Sequence, residues 1–255
     1  MYAPLIEAIF FDHWTEGSTE FLFQRPEITA KAAQLKVDLP GNLGDLLYSF
    51  KFRRSLPDGI LATQPPGREW IIEGAGRSKY RFRLVPSTRV KPNESLVSSA
   101  IPDSTPEIIR LYKLNDEQAL LAVLRYNRLI DVFLGIAAYS LQNHLRTTVS
   151  NVGQIEIDEL YIGIDKQGCH YAIPVQAKGG KDQIGIVQTM QDLAYCREAF
   201  PGMRCRPIAA QFMADGTVAL FELTLEADEV RVVDERHYRL VPAAEVDAAA
   251  AIAYR

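Results

Sequence analysis

Between Gln154 and Lys178 the chain reads QIEIDELYIGIDKQGCHYAIPVQAK, and this stretch restricts the fold more than any other. Apolar and acidic residues mostly alternate from Gln154 to Ile164, the pattern of a strand with one solvated face. Asp165-Lys166-Gln167-Gly168 is a short polar turn, and His170 to Lys178 reads as a second strand. The pair is predicted to be an antiparallel hairpin. Side chains alternate between the faces of a strand, so Glu156 and Asp158 share one face of the first, and Gln176 and Lys178 share one face of the second. Two neighbouring strands can thus bring a carboxylate, an amide oxygen and an ammonium to one place.

That grouping suits phosphodiester hydrolysis. A hard divalent cation takes oxygen ligands, and Mg²⁺ keeps several waters when a protein offers only one or two. Asp158 supplies the anionic oxygen in this reading, Gln176 its side-chain carbonyl, and the strand backbone at Ala177 a third oxygen. Lys178 holds or activates the attacking water, or offsets charge on the phosphate in the transition state. A solvated hairpin face decorated with acids and lysines has the same composition, so spacing alone does not decide.

Asp158, then a hairpin, then Gln176-Ala177-Lys178 and a Gly-rich step into a helix resembles the PD-(D/E)xK nuclease superfamily, which includes many restriction endonucleases. The resemblance covers roughly residues 110 to 225. It departs from the usual pattern at Gln176, a Gln-x-Lys version similar to that of Mrr-like restriction nucleases, and at Ile157, which stands where Pro is usual. It implies that Asp158 and Gln176 bind Mg²⁺, with Mn²⁺ as a substitute, and that Lys178 is catalytic. Gln176 keeps a ligand oxygen but loses a charge worth several kcal/mol of attraction at about 4 Å, even at an effective dielectric of about 20. Glu156 or Glu159 would have to compensate, and Glu156 is the better placed because it shares a face with Asp158.

The downstream residues fit. Gly179-Gly180 breaks the strand, and Ile184, Val187, Met190/Gln191 and Ala194/Tyr195 have helical spacing up to Pro201-Gly202. Gln191 and Tyr195 form a QxxxY spacing that resembles a supporting motif of RecB-type nucleases. Arg206 to Met213 reads as a buried strand, and Thr217 to Leu225 and Val230 to Leu240 as strands finishing the sheet. Glu222 and His237 have no obvious partner in sequence. Pro242 to Tyr254 is predicted to be an alanine-rich helix.

The chain has 255 residues and a net charge of −4, so no global basic field advertises nucleic acid. The charge is unevenly distributed: Lys51 to Lys91 holds ten Lys and Arg against three Asp and Glu. Pro4 to Phe11 and Glu20 to Phe23 read as strands, Pro26 to Leu35 as a short helix, and Leu43 to Phe50 as a second helix with Asn42 as its N-cap. After a turn at Leu56-Pro57-Asp58-Gly59, Glu69 to Glu73 and Lys79 to Val85 are predicted to be a hairpin. Two helices and a basic hairpin look like a winged-helix DNA-binding module. Arg77, Lys79, Arg81 and Arg83 would line the wing, and Lys51, Arg53 and Arg54 the end of the second helix. Such residues neutralise phosphates without specifying sequence.

Val85 to Pro106, with four prolines and several serines, reads as a linker, which places a boundary near Ser104. Residues 1–104 would be the DNA-binding module and 105–255 the nuclease domain. Gln118 to roughly Arg146 is predicted to be a long, largely buried helix, split at Gly135. Cys169, Cys196 and Cys205 show no paired spacing, which argues against a disulfide framework. No apolar run approaches a membrane span, and Met1 to Phe11 lacks a basic lead and cleavage site, which points to the cytoplasm. Gly74-x-Gly76 lacks the third glycine of a dinucleotide loop, and Gly180-Lys181 lacks the first glycine and the Ser/Thr of a phosphate loop. There is no GxSxG elbow and no HExxH pair.

The expectation is an α/β protein: a restriction-endonuclease-like mixed-sheet core, αβββαβ in order, behind a smaller N-terminal α+β module. Its expected activity is Mg²⁺-dependent endonucleolytic cleavage of double-stranded DNA, with a role in restriction or phage defence implied by the resemblance alone. Two alternatives stand: a DNA-binding protein whose nuclease fold has lost catalysis, and a nuclease for RNA or for damaged or modified DNA. No membrane partner is expected. Cutting both strands at once needs two sites, which a homodimer supplies, and a monomer nicking twice is equally allowed.

Overall fold

The predicted hairpin forms. In the computed structural model, which describes residues 2–52, 54–86, 90–112, 117–179, 185–226 and 229–246, strands β6 (Gly153–Ile164) and β7 (His170–Lys178) pair antiparallel. The turn is built by Asp165, whose Oδ1 accepts the N–H groups of Gln167 and Cys169 at 2.9 Å and whose Oδ2 accepts the Tyr171 hydroxyl at 2.8 Å. Gly168 supplies the positive φ (83°) that closes it.

Around this hairpin stands a mixed eight-stranded sheet. The other strands are β4 (Ser98–Pro102), β5 (Ala137–Val149), β8 (Arg204–Cys205), β9 (Ile208–Phe212), β10 (Val218–Glu226) and β11 (Glu229–Val241), in the order β4-β11-β10-β9-β7-β6-β5, with β8 paired to β7. Helix α8 (Ile186–Ala199) joins β7 to β9, and those two strands are parallel neighbours, as such a crossover permits. On one face α6 (Glu117–Tyr126) and α7 (Leu129–Leu134) pack Leu120, Leu124 and Ile130 against Ile173, Val175 and Leu220. On the other, α8 packs Ile186 and Val187 against Ala209 and Phe221, and Ala194 and Tyr195 against Ile157 and Leu160. A short helix, α5 (Glu107–Tyr112), precedes α6 and has no buried residue.

The N-terminal part runs α1 (Ala3–His13), β1 (Glu20–Gln24), α2 (Arg25–Leu35), α3 (Leu43–Phe52), α4 (Asp58–Leu61), β2 (Arg68–Gly74) and β3 (Lys79–Pro86). Its three strands form an antiparallel sheet in the order β1-β3-β2. Asn42 caps α3 as predicted, its Oδ1 accepting the Gly44 N–H at 3.0 Å. The module has its own core, centred on Phe10, Phe23, Trp70 and Phe82.

Several expectations are corrected. Pro4 to Phe11 is helical: Leu5, Ile6, Ile9 and Phe10 are all buried, a spacing that gives one helical face and no single strand face. The predicted helix from Gln118 to Arg146 ends far sooner. Arg128 adopts φ 49° between α6 and α7, Gly135 ends α7 at φ 66°, and the chain then enters β5, a thirteen-residue edge strand. The predicted linker contains β4, which pairs in parallel with β11, so residues before Ser104 belong to the large sheet. The turn at residues 56–59 contains the start of the one-turn helix α4. Of the predicted C-terminal helix, the described part is a 3₁₀ turn, Ala243–Glu245, and residues 247–255 lie outside the described residues. Among the described residues no helix is long and apolar enough to cross a membrane, and the three cysteines are free thiols.

Candidate active site at the splayed strands

The β6–β7 ladder runs from Ile164↔His170 to Glu159↔Val175 and stops there. Beyond that point β6 pairs with β5, and β7 pairs with β9, Val175 to Lys178 facing Ile208 to Gln211. The two strands therefore part where Asp158 and Gln176-Ala177-Lys178 begin. Backbone groups in such a gap need other partners. The Ala177 N–H donates to Asp158 Oδ2 at 2.8 Å, and Gln176 Nε2 donates to the Glu156 carbonyl at 3.2 Å. These two side chains bridge the opening.

Asp158 is 8% exposed and Gln176 3%. Burial holds the Asp158 carboxyl above the usual carboxylate range, and the charges of Glu117 and Glu156 add to that; the Ala177 N–H and the Lys178 ammonium oppose it. Asp158 Oδ1 accepts no hydrogen bond from the described residues. Lys178 Nζ lies 3.3 Å from Oε1 of Glu117, the first residue of α6. Asp158, Gln176, Ala177 and Lys178, expected together from sequence, are thus neighbours at one sheet opening.

The expected compensating acids are engaged elsewhere. Glu156 Oε1 is 3.2 Å from Arg146 Nη2 and 3.7 Å from His144 Nδ1, both on β5. Glu159 is fully buried, held by Arg125 Nε at 2.9 Å and by the Ser140 hydroxyl. The acid that does approach is Asp192 of α8, 1% exposed, with Oδ1 and Oδ2 at 3.0 and 3.3 Å from Gln176 Nε2. Gln188, four residues earlier on the same helical face, donates from Nε2 to Gln176 Oε1 at 3.3 Å. Burial raises the Asp192 carboxyl well above the ordinary value, with Asp158 adding to the rise; the Gln176 amide and Lys178 oppose it.

Sequence reasoning did not single out Glu117 among the polar residues of its helix, and it missed Gln188 and Asp192. Of the supporting pair it named instead, Gln191 is buried one position away from Asp192. Tyr195 packs on Phe200, with ring centroids 5.9 Å apart, beside Leu145, Ile157 and Leu160. Glu222 and His237 have partners: Arg206 grips Glu222 with two bonds of 2.7 Å, and His237 Nε2 lies 2.8 Å from Glu235 Oε1.

The donor atoms at the opening are all oxygen, which suits Mg²⁺ or Mn²⁺ and no soft metal. Among the described residues no three His, Cys, Asp or Glu side chains converge as a ready-made cage. Mg²⁺ needs none, since it is commonly held through one or two carboxylates and several waters. By chemistry the donor set fits.

The basic residues of the N-terminal module divide. Arg54, Arg77 and Lys79 are exposed, and Arg53 lies outside the described residues. Arg81 donates from Nε to Glu73 Oε1 at 2.7 Å, and Arg83 donates to both Glu73 oxygens at 3.1 and 3.2 Å. Arg83 also reaches the sulfur of Met190 on α8 at 3.3 Å. Lys51 lies over the Tyr80 ring, 5.4 Å from its centroid, and burial lowers its ammonium to about 8 against the pull of Glu73. The predicted basic face is partly an internal ion cluster around Glu73.

No protein-family model, no curated protein and no solved structure matches this chain.

Proposed function

We propose that the chain is a Mg²⁺-dependent endonuclease that hydrolyses phosphodiester bonds of double-stranded DNA, a member of the PD-(D/E)xK group with a role in restriction or phage defence. The observation that carries the reading is the Ala177 N–H bond to Asp158 across the parted strands, which sets Asp158 beside Gln176 and Lys178. The succession from α7 to β9, one helix, three strands, a helix, the two-residue β8 and then β9, supports the same core order. In the N-terminal module the order helix, strand, helices and a final hairpin supports a winged-helix-like unit that would grip phosphates through Arg54, Arg77 and Lys79.

Asp158 Oδ1 and Gln176 Oε1 would hold the cation, which when bound supplies positive charge at the phosphate and a water of lowered pKa. Lys178 orients the attacking water or stabilises charge on the phosphate, and Glu117 fixes its ammonium. The buried Ala177 N–H holds Asp158 in one rotamer, so the carboxylate does not have to be ordered at the moment of reaction.

Plasmid DNA incubated with the purified protein and Mg²⁺ tests this. The wild type is expected to cut, and Lys178→Ala to lose on the order of 10²–10³-fold in rate. The missing charge at Gln176 favours a second reading, a DNA-binding protein with an inactive nuclease fold. Plasmid binding without cutting by either protein would establish that reading and sink the first. Parallel arms with RNA and methylated DNA assign the substrate class.

A further inference from the structure

Gln176 is the residue at which this chain departs from the acidic pattern it resembles, and its surroundings are unusual for a ligand amide. It is 3% exposed, and its Nε2 faces the Glu156 carbonyl at 3.2 Å and the Asp192 carboxyl at 3.0 and 3.3 Å. A backbone carbonyl can only accept, so the NH₂ end of the amide is fixed on that side and Oε1 on the other. Asp192 is itself 1% exposed. A buried carboxyl is costly unless it has a partner, and its hydrogen bonds among the described residues go to Gln176 alone.

We propose that Asp192 is a positioning residue: it and Gln176 act as one unit, in which α8 supplies the acid that β7 lacks and holds Gln176 Oε1 ready as a ligand oxygen. The inference rests on the reading of Asp158 and Gln176 as a cation site. It does not require that the bound substrate be DNA. Groups that orient a metal ligand from behind commonly contribute 10–100-fold to affinity.

The unit can be inverted. Asp192→Asn removes the acid while keeping nearly the same shape. Adding Gln176→Glu puts an acid back on the strand, where the amide introduced at position 192 can donate to it; the new carboxylate has to turn away from the Glu156 carbonyl, which loses its Nε2 donor. Calorimetric titration with Ca²⁺, which reports binding without any cleavage, separates the cases, with Tm recorded for each variant. Asp192→Asn is expected to weaken Ca²⁺ binding by about tenfold or more, and the double variant Asp192→Asn/Gln176→Glu to recover most of the loss. Asp158→Asn is the control for the site itself.

If Asp158→Asn abolishes Ca²⁺ binding but Asp192→Asn leaves it unchanged, the inference is wrong and the cation site survives. If Asp192→Asn weakens binding and the double variant does not recover, Asp192 acts by some route other than Gln176, and the inference is again wrong. If the wild type binds no Ca²⁺, or binds it regardless of Asp158→Asn, the cation-site reading falls and takes this inference with it. Gln176→Glu alone is measured beside them, since an added carboxylate tightens cation binding whatever residue 192 does. The proposal is carried by recovery in the double variant beyond that single-variant gain, and a gain that merely adds to the Asp192→Asn loss overturns it.

Discussion

Lys51 shows how far a side chain's identity can mislead about its place. A lysine at the end of an amphipathic helix, among nine other basic residues, reads as a surface charge for phosphate. Its ammonium is instead drawn over Tyr80 toward Glu73, in a site that favours the neutral amine. Its folded pKa of about 8 lies below the ordinary 10.5, so the folded state binds the proton less well than the unfolded chain. The resulting penalty is full below pH 8 and fades as pH climbs towards 10.5. Lys51→Met is therefore expected to raise Tm at pH 7 by about 2–4 °C, the shift that each kcal/mol produces in a chain of this size. That gain should shrink steadily between pH 8 and 10 in a series of thermal melts; a gain that is the same at every pH would mean packing alone. That Asp158, Gln176 and Lys178 are neighbours was legible for the opposite reason. Strand period places Asp158, Gln176 and Lys178 on neighbouring strands without any tertiary knowledge, and the resemblance of Gln176-Ala177-Lys178 to a nuclease motif, more than the spacing, marks them out. Asp192 was not legible, because a helix is phased by its apolar residues, and a buried acid registers as a gap in that pattern instead of as a signal.

Elements with strong local chemistry read well, and those defined by their neighbours did not. The β6–β7 and β2–β3 hairpins, α2, α3 and α8 carry turn residues or helical spacing of their own. Strand β5 does not: of its thirteen residues only Ala138, Leu145 and Val149 are buried, and it is a strand because β6 offers it an edge. In the same way Ser98-Ser99-Ala100-Ile101-Pro102 looks like linker until β11 pairs with it. The β2–β3 hairpin reads well as structure; of the wing residues expected from sequence, Arg81 and Arg83 are bound to Glu73, and Arg77 and Lys79 are exposed and free to serve the proposed DNA contact. DNA affinity measured by fluorescence anisotropy between about 50 and 200 mM salt tests this division. Each phosphate contact contributes about 0.9 to the slope of log K against log salt. The double variant Arg77→Ala/Lys79→Ala is expected to lower the magnitude of that slope by about 2. Arg83→Ala should leave the slope unchanged and lower Tm, because it strips a partner from a carboxylate whose side chain is only 11% exposed. Equal slopes for the wild type and the double variant would remove the hairpin from the proposed DNA contact.

At the scale of the whole molecule, the two parts separated at residue 104 in sequence share a core. Ile71, Val85 and Val90 of the N-terminal part are buried with Ile186, Val187 and Phe221 of the large sheet and α8. Arg83 touches Met190 on α8, the helix that also carries Asp192 and Gln188 to the candidate site. A Pro- and Ser-rich stretch marks a place where secondary structure is weak, and carries no information on whether the flanking surfaces are docked. One close approach is at Gly74, the last residue of β2. A Cβ there would lie 1.6 Å from the backbone oxygen of Val152, in the turn between β5 and β6. Backbone cannot swing aside as a side-chain tip does, so Gly74→Ala must push the hairpin off the large sheet or strain both. The cost expected is about 1–3 kcal/mol, the usual range for overpacking, seen as a fall in Tm. Gly41→Ala is the matched control, since a Cβ there has nothing within 4 Å. It should change Tm little, or raise it slightly through the lost freedom of the unfolded chain. If Gly74→Ala is as stable as Gly41→Ala, the N-terminal hairpin does not rest on the β5–β6 turn in solution. The shared core would then not be what fixes the basic hairpin relative to the parted strands.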